Sequence, residues 1–324
     1  PAQELSPIVP LAVGPRVFYG TQDGWVQAID AKTGAKVWET QIGAAGGAAP
    51  AGIFTAFGGG WDYLLVGTAE SNGNRFYALD PATGSVVDFF PKSGDPHFGG
   101  IGAILGMASV DYARGQVYFA SRLGTAPNTL WCLKLGPASD ALTLGWVVPG
   151  ATVGPIDGSP VVRGDRVYAG NNAGVLWAVD AVSGTPLYSY PTADLAVKGF
   201  PFPDRRNGDL YFTTTAAGSL GRLHAVTDTG SGLVAKAGWG SPPVGQRMSP
   251  PLLWTGSNRL FVGVELAASG GGLFSVSATN GSVTGYDLEP SPVAIGTPSL
   301  DIGQSPPLLH VGGENGVLYA FEVP

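Results

Sequence analysis

The sequence predicts an all-β propeller of seven four-stranded antiparallel blades, and three observations lead there. The 324 residues include 51 glycines and 27 prolines, only 13 % are charged, and one motif returns along the whole length. An ordinary soluble domain carries roughly 25 % charged residues. Long amphipathic helices need that charge for their outer faces, and each interior glycine costs them about 1 kcal/mol. A hydrophobic content of 44 % is too high for a disordered chain. What remains is short strands joined by many tight turns.

The repeat is sharpest at Tyr19-Gly20-Thr21, Trp25 to Asp30, Thr33-Gly34 and Trp38. It returns with Val66-Gly67, Tyr77-Ala78-Leu79-Asp80, Thr83-Gly84 and Phe89, and again with Ala169-Gly170, Trp177-Ala178-Val179-Asp180, Ser183-Gly184 and Tyr188. A shortened copy, Val311-Gly312 to Leu318-Tyr319-Ala320-Phe321, closes the chain, and three eroded copies centre on Ala120, Thr213 and Gly263. The anchors therefore fall near 20, 67, 120, 170, 213, 263 and 312 of one domain spanning 1–324. Their spacing of about 49 residues is the period of a four-stranded blade and not of a helical solenoid.

Each copy supplies four strands. The first follows a Ser-Pro-like step: Ser6-Pro7, Ala49-Pro50, Ser159-Pro160, Phe200-Pro201, Ser249-Pro250 and Thr297-Pro298, with Ala108-Ser109 in the third copy. The second ends at the anchor. The third alternates with period two, as a strand lining two different faces does. Its small residues, Ala28, Ala78, Cys132, Ala178 and Ala320, are expected to be buried where neighbouring blades approach closely. Asp-x-x-Thr-Gly joins it to the fourth strand, because Asp and Thr bond the turn backbone and Gly accepts positive φ. The last copy lacks a fourth strand, and residues 1–5 are expected to supply it and close the ring, which would hide two sheet edges.

The motif Tyr-Gly-Thr-x-Asp-Gly-x-x-x-Ala-x-Asp-Ala-x-Thr-Gly-x-x-x-Trp of residues 19–38 resembles the repeat of the PQQ-like (pyrroloquinoline quinone-like) β-propeller superfamily, and the resemblance extends over essentially the whole chain. It implies an exported, periplasmic or cell-surface protein. The superfamily includes quinoprotein dehydrogenases, the scaffold lipoprotein of outer-membrane β-barrel assembly and sensor domains of membrane kinases, so fold alone does not fix function. The dehydrogenases clamp quinone between a Trp and an adjacent-cysteine disulfide, with Ca²⁺ beside it. Here Cys132 is the single cysteine, and no Asp-x-Asp-x-Asp-Gly calcium loop is present. The resemblance is accordingly placed with the non-catalytic branch: no catalytic residues, metal ligands or cofactor are assigned, and PQQ with Ca²⁺ is not expected.

Other chemistry is as sparse. His97, His224 and His310 are scattered, which a zinc site of three or four converging ligands does not allow. Gly58-Gly59-Gly60 and Gly270-Gly271-Gly272 lack the Lys-Ser/Thr of a phosphate loop. A net charge of −7 speaks against a nucleic-acid surface, and no apolar run reaches the roughly 18 residues of a membrane span. Because the chain opens Pro1-Ala2-Gln3-Glu4, it is expected to be a processed product or fragment whose leader or anchor is not in view.

One candidate site follows from symmetry. The residue three before each first-strand proline should recur around one mouth of the propeller channel, and these are Glu4, Gly47, Leu105, Asp157, Lys198, Arg247 and Ile295. Lys198 and Arg247 form a cationic sector for an anionic group or acidic peptide, with Glu4 and Asp157 setting the opposite side of the field. Trp61 and Trp254 fall outside the repeat positions and are candidate aromatic contacts. The expected function is a protein- or peptide-binding scaffold or sensor module. The alternatives are a quinone-dependent oxidoreductase domain and a carbohydrate-binding propeller using Trp61, Trp254 and loop carboxylates.

Overall fold

The computed structural model describes residues 11–43, 48–55, 62–71, 73–122, 127–137, 140–215, 220–266, 270–287, 295–303 and 305–323. Seven antiparallel sheets follow one another along the chain, and the fold is a seven-bladed all-β propeller. The first sheet is Leu11–Val13, Arg16–Gly20, Trp25–Asp30 and Lys36–Gln41, in that spatial order. The second, third and fourth repeat the pattern, their second strands being Asp62–Thr68, Gln116–Ala120 and Arg166–Gly170. Thus the anchors Gly20, Ala120 and Gly170 end second strands, whereas Gly67 lies one residue inside its own.

The later sheets vary. The fifth holds Val197–Pro203, Asp209–Thr214, Gly221–Asp228 and Leu233–Ala235, and Pro243–Gly245 adds to it by pairing with Gly221–Asp228. In the sixth the first strand is broken into Arg247–Met248 and Leu252–Trp254, both paired with Arg259–Leu266. The break falls at Pro250-Pro251, which donate no backbone hydrogen bond. The seventh has three strands among the described residues: Ser299–Asp301, Leu308–Gly312 and Leu318–Glu322. The closure by residues 1–5 lies outside the described residues. The single helix among them is the one-turn Gly150–Val153.

The strands pack as two compact units, Pro1–Tyr168 with Val179–Pro186, and Ala169–Ala178 with Leu187–Pro324. In the first unit the period-two alternation separates two faces. Phe18, Val26, Ala28 and Trp38 of the first sheet form one buried cluster with Leu64, Val66, Tyr77 and Leu79 of the second. The opposite face of the second sheet, including Tyr63, Leu65, Phe76 and Ala78, is buried against Val117, Phe119, Trp131 and Leu133 of the third. In the second unit Leu223 and Ala225 meet Val262 and Val276, and Phe261 and Leu273 meet Leu309 and Val311. The first, second and fifth sheets therefore bury their small third-strand residues Ala28, Ala78 and Ala225 against the sheet that follows.

Ala28, Ala78, Cys132 and Ala178 are all 0 % exposed. Burial pushes the Cys132 thiol up to about 12. Ala320 corrects the expectation: it is exposed, because it sits on the outermost described strand of the seventh sheet.

The Asp-x-x-Thr-Gly turns explain how one sheet grips the next. Asp180 Oδ1 accepts from the Val182 and Ser183 amides at 3.0 and 2.7 Å and from Ser183 Oγ at 2.8 Å. Asp30 does the same with Lys32 and Thr33. These bonds, led by the amides of Thr33 and Ser183, hold both carboxyls below their ordinary value. The turn's next carbonyl then accepts from the preceding sheet: Trp38 Nε1 donates to Pro81 O at 3.1 Å and Trp146 Nε1 to Ala181 O at 2.9 Å. The same two indoles lie on the turn glycines. A Cβ on Gly84 would come within 2.5 Å of the Trp38 ring, and one on Gly184 within 2.6 Å of Trp146. Between the fifth and sixth sheets a lysine takes over part of this duty. Lys236 Nζ donates to Ala278 O, Asp209 Oδ2 and Tyr211 OH at 2.7, 2.6 and 2.9 Å, while the Trp239 ring still lies near Gly281.

These contacts predict a graded glycine series. Gly34, Gly84 and Gly184 all have φ between 71° and 76°, but a Cβ on Gly34 would meet nothing within 4 Å. Gly34→Ala should cost about 1–2 kcal/mol of backbone strain. Gly84→Ala and Gly184→Ala should each cost roughly 1–3 kcal/mol more through overpacking against tryptophan. Urea unfolding of the three variants checks this, and equal losses would show that the indoles carry no such constraint.

Candidate functional site

The sheets place charged side chains at or just past the ends of three second strands. Two residues beyond the anchors Ala120, Gly263 and Gly312 stand Arg122, Glu265 and Glu314. In the first unit Arg122 Nε and one terminal nitrogen donate to the two oxygens of Asp157 at 3.1 and 3.0 Å. Asp157 is thus neutralised in a two-point ion pair, the fork geometry that arginine and carboxylate favour.

In the second unit Arg247 pairs with Glu265 through Nε, and its terminal nitrogen stands 3.8 Å from Glu314. Arg247 and Glu314 line an open pocket of about 390 Å³ together with Ser249, Ile295 and Thr297, and Glu265 reaches it through its pair with Arg247. One guanidinium against two carboxylates leaves this group net negative. The charge expected of Arg247 is therefore compensated by residues that the sequence reading passed over. A signal for them existed: each lies a fixed two residues past an anchor.

Strand register also separates residues that the sequence placed at one level. Lys198 pairs with the anchor Thr213, whereas Arg247 pairs with Glu265, two ladder positions beyond the anchor Gly263. The offset arises in the fifth sheet, where the ladder shifts between Lys198 and Phe202, and in the sixth, where prolines break the strand. Lys198 is half-buried and has no ion-pair partner among the described residues. Trp254 is half-buried against the cluster of Phe261, Leu273 and Leu309, and a Cβ on Gly256 would lie 2.4 Å from its ring. Glu4 and Trp61 lie outside the described residues. No group of three or more His, Cys, Asp or Glu suited to a metal ion occurs among the described residues.

A second polar cluster ties the segment before the fifth sheet to that sheet. Asp194 Oδ2 accepts from Thr214 Oγ1 at 2.6 Å and from His224 Nε2 at 2.7 Å, with Arg222 Nε at 3.6 Å from the other oxygen. Phe212 stacks on the imidazole with ring centroids 5.2 Å apart. Burial pushes His224 below its ordinary value, although Asp194 pulls the other way. Burial works to raise Asp194 too, but there the bonds from Thr214 and His224 outweigh it and hold the carboxyl low.

The unfolded chain therefore binds a proton at His224 more readily than the folded one. The stability this gives is complete above the ordinary histidine value of about 6.5 and is lost as pH falls from there towards the folded value. Urea midpoints should drop on acidification from about pH 7.5 to about pH 5. His224→Gln keeps a donor for Asp194 without the titration and should flatten that limb; an unchanged slope would assign it elsewhere.

Comparison with known proteins fits this architecture. A family model described as outer membrane protein assembly factor BamB matches residues 2–92. BamB from Moraxella catarrhalis superposes with a TM-score of 0.62 at 16 % identity, covering 98 % of this chain and 83 % of that one. A europium-containing methanol dehydrogenase gives 0.66 at 15 % identity over 95 % and 74 % of the two chains. The computationally designed Ika8 protein gives 0.56 at 13 % identity over 99 % and 96 %. No curated protein sequence matches the chain. At such identities the likeness is one of fold, shared by an assembly factor, a dehydrogenase and a designed protein alike. What these superpositions establish is the propeller fold, and the family match covers residues 2–92 of the 324.

Proposed function

We propose that this protein is a non-catalytic binding scaffold, exported to the periplasm or cell surface, that holds a protein partner through polar groups at strand ends and loops. The observation that carries this reading is the Arg247, Glu265 and Glu314 group beside its open pocket. The blade faces are spent on packing against one another, whereas these groups stand on strand ends and loops held by a rigid frame, where binding residues gather. A charge-paired, partly exposed rim suits a partner that supplies its own hydrogen-bond donors. Likeness to BamB, an assembly factor by name, supports the same reading. No helix among the described residues is long and apolar enough to cross a membrane.

The donor set is a poor match for a quinone with a divalent cation. The carboxylates of Glu265 and Glu314 close on a guanidinium, which occupies the charge they would offer to a metal. Both oxygens of Asp157 are likewise taken by Arg122. No redox step is assigned to these residues.

A photoreactive amino acid at Thr297, which lines the pocket, should give one discrete protein adduct on irradiation in cells, and Arg247→Gln should weaken it with little change in melting temperature. Incubation with pyrroloquinoline quinone and Ca²⁺ should leave no stoichiometric quinone absorbance and no dye reduction. Bound quinone with turnover would overturn the reading in favour of an oxidoreductase.

A further inference from the structure

Several arginines are held by carboxylates. Arg114 bonds Asp111 and Asp165, Arg122 bonds Asp157, Arg206 bonds Asp204, and Arg247 bonds Glu265. Arg75, in the first unit, is different. Its guanidinium has no ion pair and no hydrogen bond among the described residues. Two aromatic faces hold it instead, the Phe89 ring centroid at 4.6 Å and that of Phe98 at 5.5 Å. Cation–π contact fixes the plane of a guanidinium but leaves its N–H edge unsatisfied.

The surroundings give that edge somewhere to act. Arg75 lines an open polar pocket of about 510 Å³ together with Gln41, Thr68, Glu70 and Tyr77. Tyr77 OH donates to Ile42 O at 3.2 Å and so fixes one wall. Asn74 braces the turn before Arg75 by accepting from the Glu70 amide at 2.5 Å and donating to Glu70 O at 2.9 Å. Phe98 is 50 % exposed on a loop pinned by its own hydrogen bonds, His97 N to Asp95 Oδ1 and Phe98 N to Asp95 O. A preoriented cation thus stands beside an exposed apolar ring, on a protein whose net charge is −7.

We propose that Arg75 is a docking residue for a carboxylate side chain on an acidic protein segment, with Phe98 receiving an apolar residue next to that carboxylate. A guanidinium presents a planar pair of donors matching the two carboxylate oxygens, and stacking on phenylalanine keeps the pair in position before the partner arrives. An open pocket lined by a guanidinium that itself lies against the exposed Phe98 ring suits a side chain presented by a polypeptide better than a small anion held alone. The proposal deepens the scaffold reading and rests on it by assigning a second contact, separate from the Arg247 group.

The test uses the intact protein with arginine Nε labelled by ¹⁵N and titrated with acetyl-Phe-Glu-Phe-amide, its Gln counterpart, or acetate. The Glu peptide should shift the Arg75 Nε–H signal saturably and bind about tenfold or more tighter than the Gln peptide, the difference expected for hydrogen bonds to a charged group. Phe98→Ser, an exposed position, should weaken the Glu peptide without changing the melting temperature. Arg75→Gln should remove the preference for Glu over Gln when the signals of Phe98 are followed. Equal binding of the two peptides, or an acetate response matching the peptide's, overturns the proposal. Absence of any saturable shift overturns it as well, yet leaves the scaffold reading standing, because that reading is tested separately by the adduct at Thr297 and by quinone binding.

Discussion

The structure depends on one recurring contact, in which a fourth-strand side chain of one sheet rests on the third-to-fourth-strand turn of the next. It joins two requirements at a single place. The turn must expose a backbone carbonyl in a fixed direction, and its glycine must lie flat enough for an indole ring to cover it. Trp38 on the turn at Pro81 to Gly84, and Trp146 on the turn at Ala181 to Gly184, satisfy both. The Asp and Thr or Ser of the turn bond their own backbone and keep that geometry before the ring arrives. Sheets connected in this way are neighbours in sequence, so each junction needs only local chain and the fold can extend one unit at a time.

That arrangement divides labour between interior and rim. In the second sheet Phe76 and the small Ala78 face the following sheet while Tyr77 and Leu79 face the preceding one, leaving little freedom on either face. Strand ends and loops carry no such demand, and the charged residues collect there. Arg122 with Asp157 and Arg247 with the two glutamates show that these charges are organised and not scattered. Lys236 shows the limit of the scheme. It brings a cation into the wedge between the fifth and sixth sheets, and three oxygen acceptors satisfy it there.

Much of this architecture was legible in the sequence. The period near 49 residues, the Ser-Pro steps and the Asp-x-x-Thr-Gly turns located the sheets, because each motif is read by its own local backbone. Ala320 went astray since its burial depends on a neighbouring strand and not on the motif that contains it. The candidate site was less legible. Counting back from prolines assumes an unbroken ladder, whereas the fifth sheet shifts register after Lys198 and the sixth is interrupted at Pro250. Counting forward from the anchors would have found Arg122, Glu265 and Glu314. Nothing local marks Arg75, whose setting is made by Phe89 and Phe98 from later in the chain.

The lone cysteine gives the third sheet an unusual liability. Cys132 is sealed between its neighbours, with Gly145 so near that a Cβ there would stand 3.0 Å from the sulfur. While the sheet is closed, the thiol is inert, since only the thiolate reacts and burial suppresses it. A transient opening of this blade restores ordinary reactivity, and no other residue among these 324 is a cysteine that could pair with the sulfur. In an oxidising compartment such a fluctuation would become a covalent cross-link, so the tight closure of this one sheet also protects the protein against oxidative dimerisation.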